Sequence, residues 1–466
     1  MANRWKGNII AAAATTSSGT DYTGKANGAW GLNSQLQQKQ GGLWAKGVSA
    51  PSAPAIGTAL AGAGNATVSF SASVIPGYSG TITYTATSSP GGVTGNATST
   101  PITVNGLNAG TAYTFTVTAT NELGLTSVPS APSNSVTPSS DVIGIGSPTS
   151  PWLSIYIWAG GFGTKYADPS PSVSAARMTF SPDNTVVAYG SHSSASVGAF
   201  SWSSVTGFGS KFSDPSTMPS GTSYNIRFNS QGTVLAVAHA TSPYITTYPW
   251  SNGFGAKFSN PAIPLGDNAR AVCFSPDGAV ISIANISTVI SSYAWSNGFG
   301  TKYADLTVTP FTPAGLGCDF SSSGATLVVC GYSTPYIAAY PWSNGYGTKY
   351  ANPSTLPLQN CFWTKFNKDG SKIACGWQVT SPFFYIYNWS NGFGSKLTDP
   401  SSVITGTASY AGDFGKSTAN SNDIAIGQAG SPFINAYTFN SSSVGTKYAN
   451  PSTLPPSDAY SVSFSN

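Results

Sequence analysis

The sequence predicts an all-β chain: an extended N-terminal segment, a small β-sandwich and a long seven-bladed β-propeller. Three observations carry the propeller. A phrase, most fully Ala-Tyr-Pro-Trp-Ser-Asn-Gly-Tyr-Gly-Thr-Lys-Tyr at 339–350, recurs seven times, with its lysine at Lys165, Lys211, Lys257, Lys302, Lys349, Lys396 and Lys447. The spacings of 46, 46, 45, 47, 47 and 51 residues suit four-stranded blades rather than helical repeats. A marker phenylalanine keeps the same register at Phe180, Phe228, Phe274, Phe320, Phe366, Phe414 and Phe464.

Each unit reads strand, turn, strand. Ser-Pro-Asp-Asn at 181–184 and Ser-Pro-Asp-Gly at 275–278 follow two markers and supply the fixed φ, side-chain hydrogen bond and positive φ of a tight turn. After Phe274 a buried-looking run holds Val280, Ile281, Ile283 and Ala284, and Val289 to Trp295 roughly alternates before the Ser-Asn-Gly-Phe-Gly turn at 296–300. Four strands of about five residues plus loops fill the period. The final stretch, 461–466, supplies only the first strand of a unit, and its continuation lies upstream at 142–146, 152–158 and 164–167. The C-terminal strand is therefore expected to complete the first blade and close the ring at seven, removing two exposed edges.

Composition fits such a fold. Charged residues make up 7% of the 466-residue chain, against roughly 25% in an average soluble domain. Ser, Thr, Asn and Gly supply the polar surface instead, and they favour turns and strands. The net charge of +4 is too small to imply nucleic acid or an anionic membrane as partner. Cys273, Cys318, Cys330, Cys361 and Cys375 show no metal-like spacing, and an odd number allows no complete disulfide framework. His192 and His239 lack motif-spaced partners, so no metal, cofactor or catalytic dyad is expected.

The N-terminus begins like a signal peptide, but its apolar core, 9–14, falls short of the usual roughly 7 to 15 residues and is read as retained. No later stretch is suited to span a bilayer. Residues 1–50 carry Trp5, Trp30, Leu36 and Trp44 in a polar background, with a short helix expected over 32–39. So few apolar side chains cannot build a core; they suit docking on a partner surface. Residues 51–138 form a separate unit bounded by Pro-Ser-Ala-Pro at 51–54 and a Pro/Ser-rich stretch at 129–138, with alternating runs at 66–73, 81–87 and 113–121. Leu-Asn-Ala-Gly-Thr-Ala-Tyr at 107–113 resembles the tyrosine corner of a fibronectin type III domain, which implies that Tyr113 hydrogen-bonds nearby backbone. Phe70 stands where that family usually has tryptophan, and the absence of Arg-Gly-Asp points to a spacer.

The segment at 22–44, Tyr-Thr-Gly-Lys-Ala-Asn-Gly-Ala-Trp-Gly-Leu-Asn-Ser-Gln-Leu-Gln-Gln-Lys-Gln-Gly-Gly-Leu-Trp, resembles a short module at the start of bacteriophage tail-fibre and appendage proteins. The resemblance implies a virion surface protein present in multiple copies, attached to other virion proteins through 1–50 and displaying the propeller outward. A head decoration protein would share this organisation.

Chemistry is sought on the propeller faces. Gly-Phe-Gly-Thr-Lys at 161–165 lacks the downstream pattern of a phosphate loop and recurs in every blade, so it reads as a turn whose aromatic clasps the neighbouring blade. Lysines about 17 Å apart would repel by only about 0.25 kcal/mol in water, so their ring needs no ligand. The Asp or Asn three residues on, as at Asp168, Asp214, Asp305 and Asp399, reads as a turn-former with an occasional ion pair. Positions that differ between blades are better candidates. Eleven residues after the marker stand Ser191, His239, Asn285, Gly331 and Trp377. His239, and Trp377 with Trp363 and Gln378, are the surface-recognition candidates, weighed against tryptophans that simply fill a blade edge. The expected function is non-enzymatic recognition of a host-surface glycan or protein, with a free carbohydrate-binding lectin and a propeller hydrolase as alternatives.

Overall fold

The computed structural model describes residues 49–465 except 63, 74–79, 109, 139, 307, 308, 312, 313, 403, 418 and 419. Trp5, Trp30, Leu36, Trp44 and the helix expected over 32–39 lie outside the described residues. Among the described residues every regular element is a strand, and no helix is long and apolar enough to cross a membrane. The chain divides into two compact units after Pro138.

The first unit is a two-sheet sandwich. One sheet orders Ala55–Ala61, Asn65–Ser71 and Ile102–Asn105; the other orders Thr94–Ala97, Ile82–Ser89 and Thr114–Asn121. Strict alternation along Thr114–Asn121 puts Phe115, Val117 and Ala119 inside, as one buried face requires. Phe70 keeps the core contact a tryptophan would make, with its ring 4.5 Å from Tyr84. The Tyr113 phenol accepts the Asn108 N–H at 3.1 Å, which fastens the corner.

The Pro/Ser-rich stretch proves to be part of this sandwich rather than its border. Ser127, Ser130 and Ser133 donate their N–H groups to the carbonyls of Ala119, Val117 and Phe115 at 2.8, 2.9 and 2.8 Å. Their hydroxyls accept the N–H groups of the same three residues at 3.0, 2.9 and 3.0 Å. A three-residue period is that of polyproline II, which brings every third residue to one side. Here serine oxygen replaces the carbonyl acceptor a β-strand would offer, while Pro129 and Pro132 remove N–H groups from the edge.

Among the described residues the second unit carries seven sheets. Blade 1 joins the C-terminal strand Ser461–Phe464 to Asp141–Gly146, Leu153–Trp158 and Phe162–Lys165. Its register pairs Ser461 with Gly146 and Phe464 with Ile143. Blades 2 to 7 begin with the innermost strands Arg177–Phe180, Ser223–Phe228, Ala269–Phe274, Gly315–Phe320, Cys361–Phe366 and Ala408–Phe414. Each innermost strand touches the next, and Ser461–Phe464 touches both Ala408–Phe414 and Arg177–Phe180.

Four strands per unit holds for five blades; blades 3 and 5 have three strands and an isolated bridge in the fourth position. Their third strands, Ile245–Pro249 and Ile337–Pro341, end on proline. Pro249 still accepts the Gly255 N–H at 2.8 Å, and Pro341 that of Gly347 at 2.8 Å. Neither has an N–H to return, so the ladder is one-sided. The phrase copy that looks fullest in sequence is thus one of two that break the outer strand.

Aromatic rings hold the outer part of each blade. Trp295 meets edge-on Phe274 of its innermost strand, Phe299 of its fourth strand and Phe258 of the preceding blade, at 5.8, 5.1 and 5.3 Å. The expected clasp is shared by two residues. The phrase aromatic Phe299 makes its ring contacts within its own blade, though Tyr346, its counterpart in blade 5, hydrogen-bonds Ser292 of blade 4 at 2.7 Å. The residue after the lysine, as Phe258, places its ring against the next blade's tryptophan. The same contact runs from the last blade to the first, where Tyr448 lies 5.1 Å from Trp158. Asp423 of blade 7 accepts both the Trp158 indole N–H at 2.9 Å and the Tyr448 hydroxyl at 2.7 Å.

Candidate functional site

Three of the four recognition candidates prove to be interior. His239 and Trp377 are fully buried and Trp363 nearly so. The His239 Nε2 lies 2.9 Å from the Thr246 hydroxyl, and burial pushes its imidazole down to about 4. The Trp377 indole donates to the Thr380 carbonyl at 2.7 Å and packs 4.6 Å from Tyr385. Trp363 fills a slot left by two glycines: a Cβ on Gly412 would lie 2.2 Å from its ring, and one on Gly376 would lie 2.3 Å from its Nε1. His239 and Trp377 stand on second strands, whose faces pack against neighbouring blades, so variety at their position records how blades fit together. Trp363 stands on a first strand, three residues before its marker as Arg177 does, and lines the cavity on the propeller axis. Gln378 is half-buried and hydrogen-bonds Tyr410.

The lysines are held in place. Lys302 pairs with Asp305 at 2.7 Å and Lys396 with Asp399 at 2.5 Å, and Lys165 and Lys211 pair with Asp168 and Asp214. Lys257 and Lys349 donate to Asn260 and Asn352, each at 2.5 Å. In these six copies the residue three positions on is a partner of the lysine, as an ion pair in the four where it is aspartate.

The varied chemistry converges instead on the propeller axis, where the innermost strands enclose a cavity of about 280 Å³. Of the cations around its deeper part, Lys365, one residue before its marker phenylalanine, lines the cavity and is matched by an acid outside the lining. Lys365 pairs with Asp319 at 3.2 Å, and Asp319 also accepts the Phe366 N–H at 2.9 Å. Lys416 pairs with Asp413 at 3.1 Å, and Asp413 accepts the Phe464 N–H at 2.9 Å. Burial outweighs the nearby Arg227 charge and raises the Asp319 carboxyl to about 7.

The upper tier, at the mouth, is built by bulges. Register shifts between Ser223 and Asn225, Ala269 and Ala271, Cys361 and Trp363, and Ser409 and Ala411 leave Tyr224, Arg270, Phe362 and Tyr410 unpaired. A bulge re-aims the side chain it carries, and all four line the cavity. Blade 1 adds Tyr460, blade 2 adds Arg177 and His192, and blade 5 adds Tyr332. The groups form a chain of contacts. Arg270 lies 4.1 Å over Tyr224, whose ring is 6.1 Å from His192; His192 is 5.2 Å from Tyr460, and Arg177 lies 5.0 Å over Tyr460. Tyr410 follows at 5.1 Å from Tyr460, and Phe362 at 6.4 Å from Tyr410.

Here the charges are unmatched. Among the described residues neither Arg177 nor Arg270 has a carboxylate partner, and no acid lines the cavity. Arg177 donates to the Tyr460 carbonyl, yet its Nε, the Arg270 Nε and the His192 Nδ1 are buried without a partner. Burial lowers the Arg177 guanidinium to about 10. Burial first, then the two arginine charges, hold His192 below its ordinary value and hence neutral. The arrangement offers convergent donors, positive charge and aromatic walls. A sequence signal existed: four residues before the marker stand Tyr224, Arg270, Leu316, Phe362, Tyr410 and Tyr460. Reading variation only after the marker missed it.

Residues 52–136 match the fibronectin type III domain family. A search of curated protein sequences found no match for the chain. Among solved structures, a candidate 6-phosphogluconolactonase from Bacteroides uniformis is 14% identical with a TM-score of 0.53, over 70% of this chain and 99% of that one. A protein from Lactobacillus plantarum is 12% identical with a TM-score of 0.53, over 70% and 100%. A functionally unknown protein from Desulfotomaculum acetoxidans is 11% identical with a TM-score of 0.52, over 70% and 99%. At these identities the likeness is one of fold.

Proposed function

We propose that this chain is a non-enzymatic surface protein of a bacteriophage virion, of tail-fibre or appendage type, whose propeller recognises a host-surface glycan. Residues 1–50 attach it to other virion proteins, the fibronectin type III domain is a spacer, and the propeller is the recognition head. The observation that carries the recognition role is the axial mouth, where the blades contribute tyrosines, a phenylalanine and a histidine around unmatched arginines. The virion setting is supported by the sequence of 22–44 and by a segment rich in exposed-type tryptophan that has too few apolar residues for a core. A head decoration protein or a free lectin would use the same head differently. Mass spectrometry of purified particles is expected to detect the chain, and removal of 1–50 to abolish its incorporation while the propeller stays folded. Absence from particles overturns the virion assignment; saturable glycan binding would then favour the free lectin.

A hydrolase is the second reading, favoured by neutral His192 beside two arginines and by the fold shared with the candidate lactonase. Fold does not carry function. Hydrolysis of a phosphorylated sugar lactone above background, lost in His192→Ala, would establish it.

A further inference from the structure

We propose that the axial mouth binds the acidic group of a saccharide, a carboxylate, sulfate or phosphate ester, between Arg177 and Arg270, with the sugar ring against Tyr410 and Tyr460. The biological setting rests on the recognition reading above; the chemistry rests on the mouth itself.

Contrast within the cavity makes the case. Deeper, Lys365 pairs with Asp319 and Lys416 with Asp413, and Arg227, which makes no ion pair among the described residues, still lies near enough to Asp319 for its charge to act on that carboxyl. The two mouth arginines have none among the described residues, although each has a buried Nε without a partner. A buried cation is normally paired, because removing it from water is unfavourable unless an opposite charge replaces the lost hydration. A guanidinium presents a planar fork that matches a carboxylate, sulfate or phosphate group. Both forks are already placed, Arg270 over Tyr224 and Arg177 over Tyr460, so little ordering remains on binding. Neutral His192 adds a buried Nδ1 without a partner, able to donate as one tautomer or accept a sugar hydroxyl as the other.

The remaining walls select for a ring. Tyr410 and Tyr460 meet edge-on at 5.1 Å, and Phe362 continues the apolar wall. Aromatic side chains with a polar tip suit a ligand that has one apolar and one hydroxylated side. The volume of about 280 Å³ is near the lower bound of small-ligand sites, about 300 Å³, and suits one saccharide unit.

The test is titration calorimetry on the full chain with glucuronate, glucose 6-sulfate and glucose 6-phosphate, against glucose and inorganic sulfate. At least one acidic sugar is expected to bind saturably, at least tenfold more tightly than glucose and more tightly than sulfate; comparison of the three separates carboxylate from ester sources. Arg270→Gln and Arg177→Gln should each weaken that binding at least tenfold, and Tyr410→Ala should weaken the sugar but not sulfate. Arg270→Lys, which keeps the charge and loses the fork, should weaken it about threefold or more and serves if a glutamine variant fails to fold. The proposal is overturned if no acidic sugar binds, or if affinity is unchanged in the folded arginine variants. Binding of neutral glycans alone at the mouth would overturn it while leaving the recognition reading intact. An acidic sugar bound by a chain absent from virions would support it and sink the virion setting.

Discussion

Around the outside of the propeller, Trp158, Trp202, Trp250, Trp295, Trp342 and Trp389 sit among aromatic edges, as Trp295 does at 5.1 to 5.8 Å. At the axial mouth the corresponding blades present Tyr460, Arg177, Tyr224, Arg270, Tyr332 and Phe362. The first set repeats because each blade must solve the same packing problem against its neighbour. The second varies because side chains aimed at a shared space need not fill one another's gaps. Blade 7 shows how far the outer rule bends: Phe439 replaces the tryptophan, with Val444 and Leu397 in place of two aromatics, and all three stay buried. Packing tolerates smaller apolar residues together, whereas the mouth guanidiniums have no carboxylate partner among the described residues.

The largest expected effect comes from removing 461–466, which takes Phe464 from its edge contact with Trp158 at 5.2 Å and the inner strand from blade 1. Thermal unfolding should fall by more than about 10 °C, since each kcal/mol is worth about 2 to 4 °C in a domain of somewhat smaller size. An unchanged transition would refute the role of that strand. Next, Trp295→Ala should cost about 3 to 5 kcal/mol by denaturant titration, while Tyr224→Ala at the mouth should cost about 1 kcal/mol or less. Equal costs would break the distinction between packing and recognition positions.

A subtler contrast concerns pH beside the cavity, at Asp319. Because burial raises the Asp319 carboxyl to about 7, the native state keeps a proton that the unfolded chain releases near its ordinary value of about 3.9. Stability contributed by this group is therefore full below about pH 4 and is lost as pH rises to about 7, with a slope of at most about 1.4 kcal/mol per unit. Asp319→Asn, which can still accept the Phe366 N–H, should flatten the slope, measured as the difference in Tm between pH 4 and pH 7. The smallest effect is expected at the rim. Lys302→Ala, which breaks the pair with half-exposed Asp305, should change stability by about 0 to 1 kcal/mol.

Much of the propeller was readable because local pattern and turn chemistry repeat. The marker phenylalanines, the Ser-Pro-Asp turns and the Ser-Asn-Gly turn, in which Asn297 adopts φ 54° and Gly298 φ 141°, each follow from steric preferences of the residues present. Tyr113 was likewise legible from its corner motif. The recognition candidates were not. His239 and Trp377 vary between blades, yet second strands are enclosed by neighbouring sheets, so their variety is interior fit, whereas Trp363 on a first strand both packs between blades and lines the axial cavity. Trp363 in particular depends on Gly376 and Gly412, distant in sequence from one another and brought together only by adjacent blades.

By itself the sequence determined an all-β chain, the number of repeats, the register that pairs 461–464 with 143–146, and the fibronectin type III unit, all of which rest on local periodicity and turn residues. Tertiary structure alone decided which phrase aromatic crosses between blades, which blades lose their fourth strand to proline, and where charge goes unmatched. The physical reason is that a mouth residue gains its meaning from six other chain segments, and a bulge decides whether it faces them.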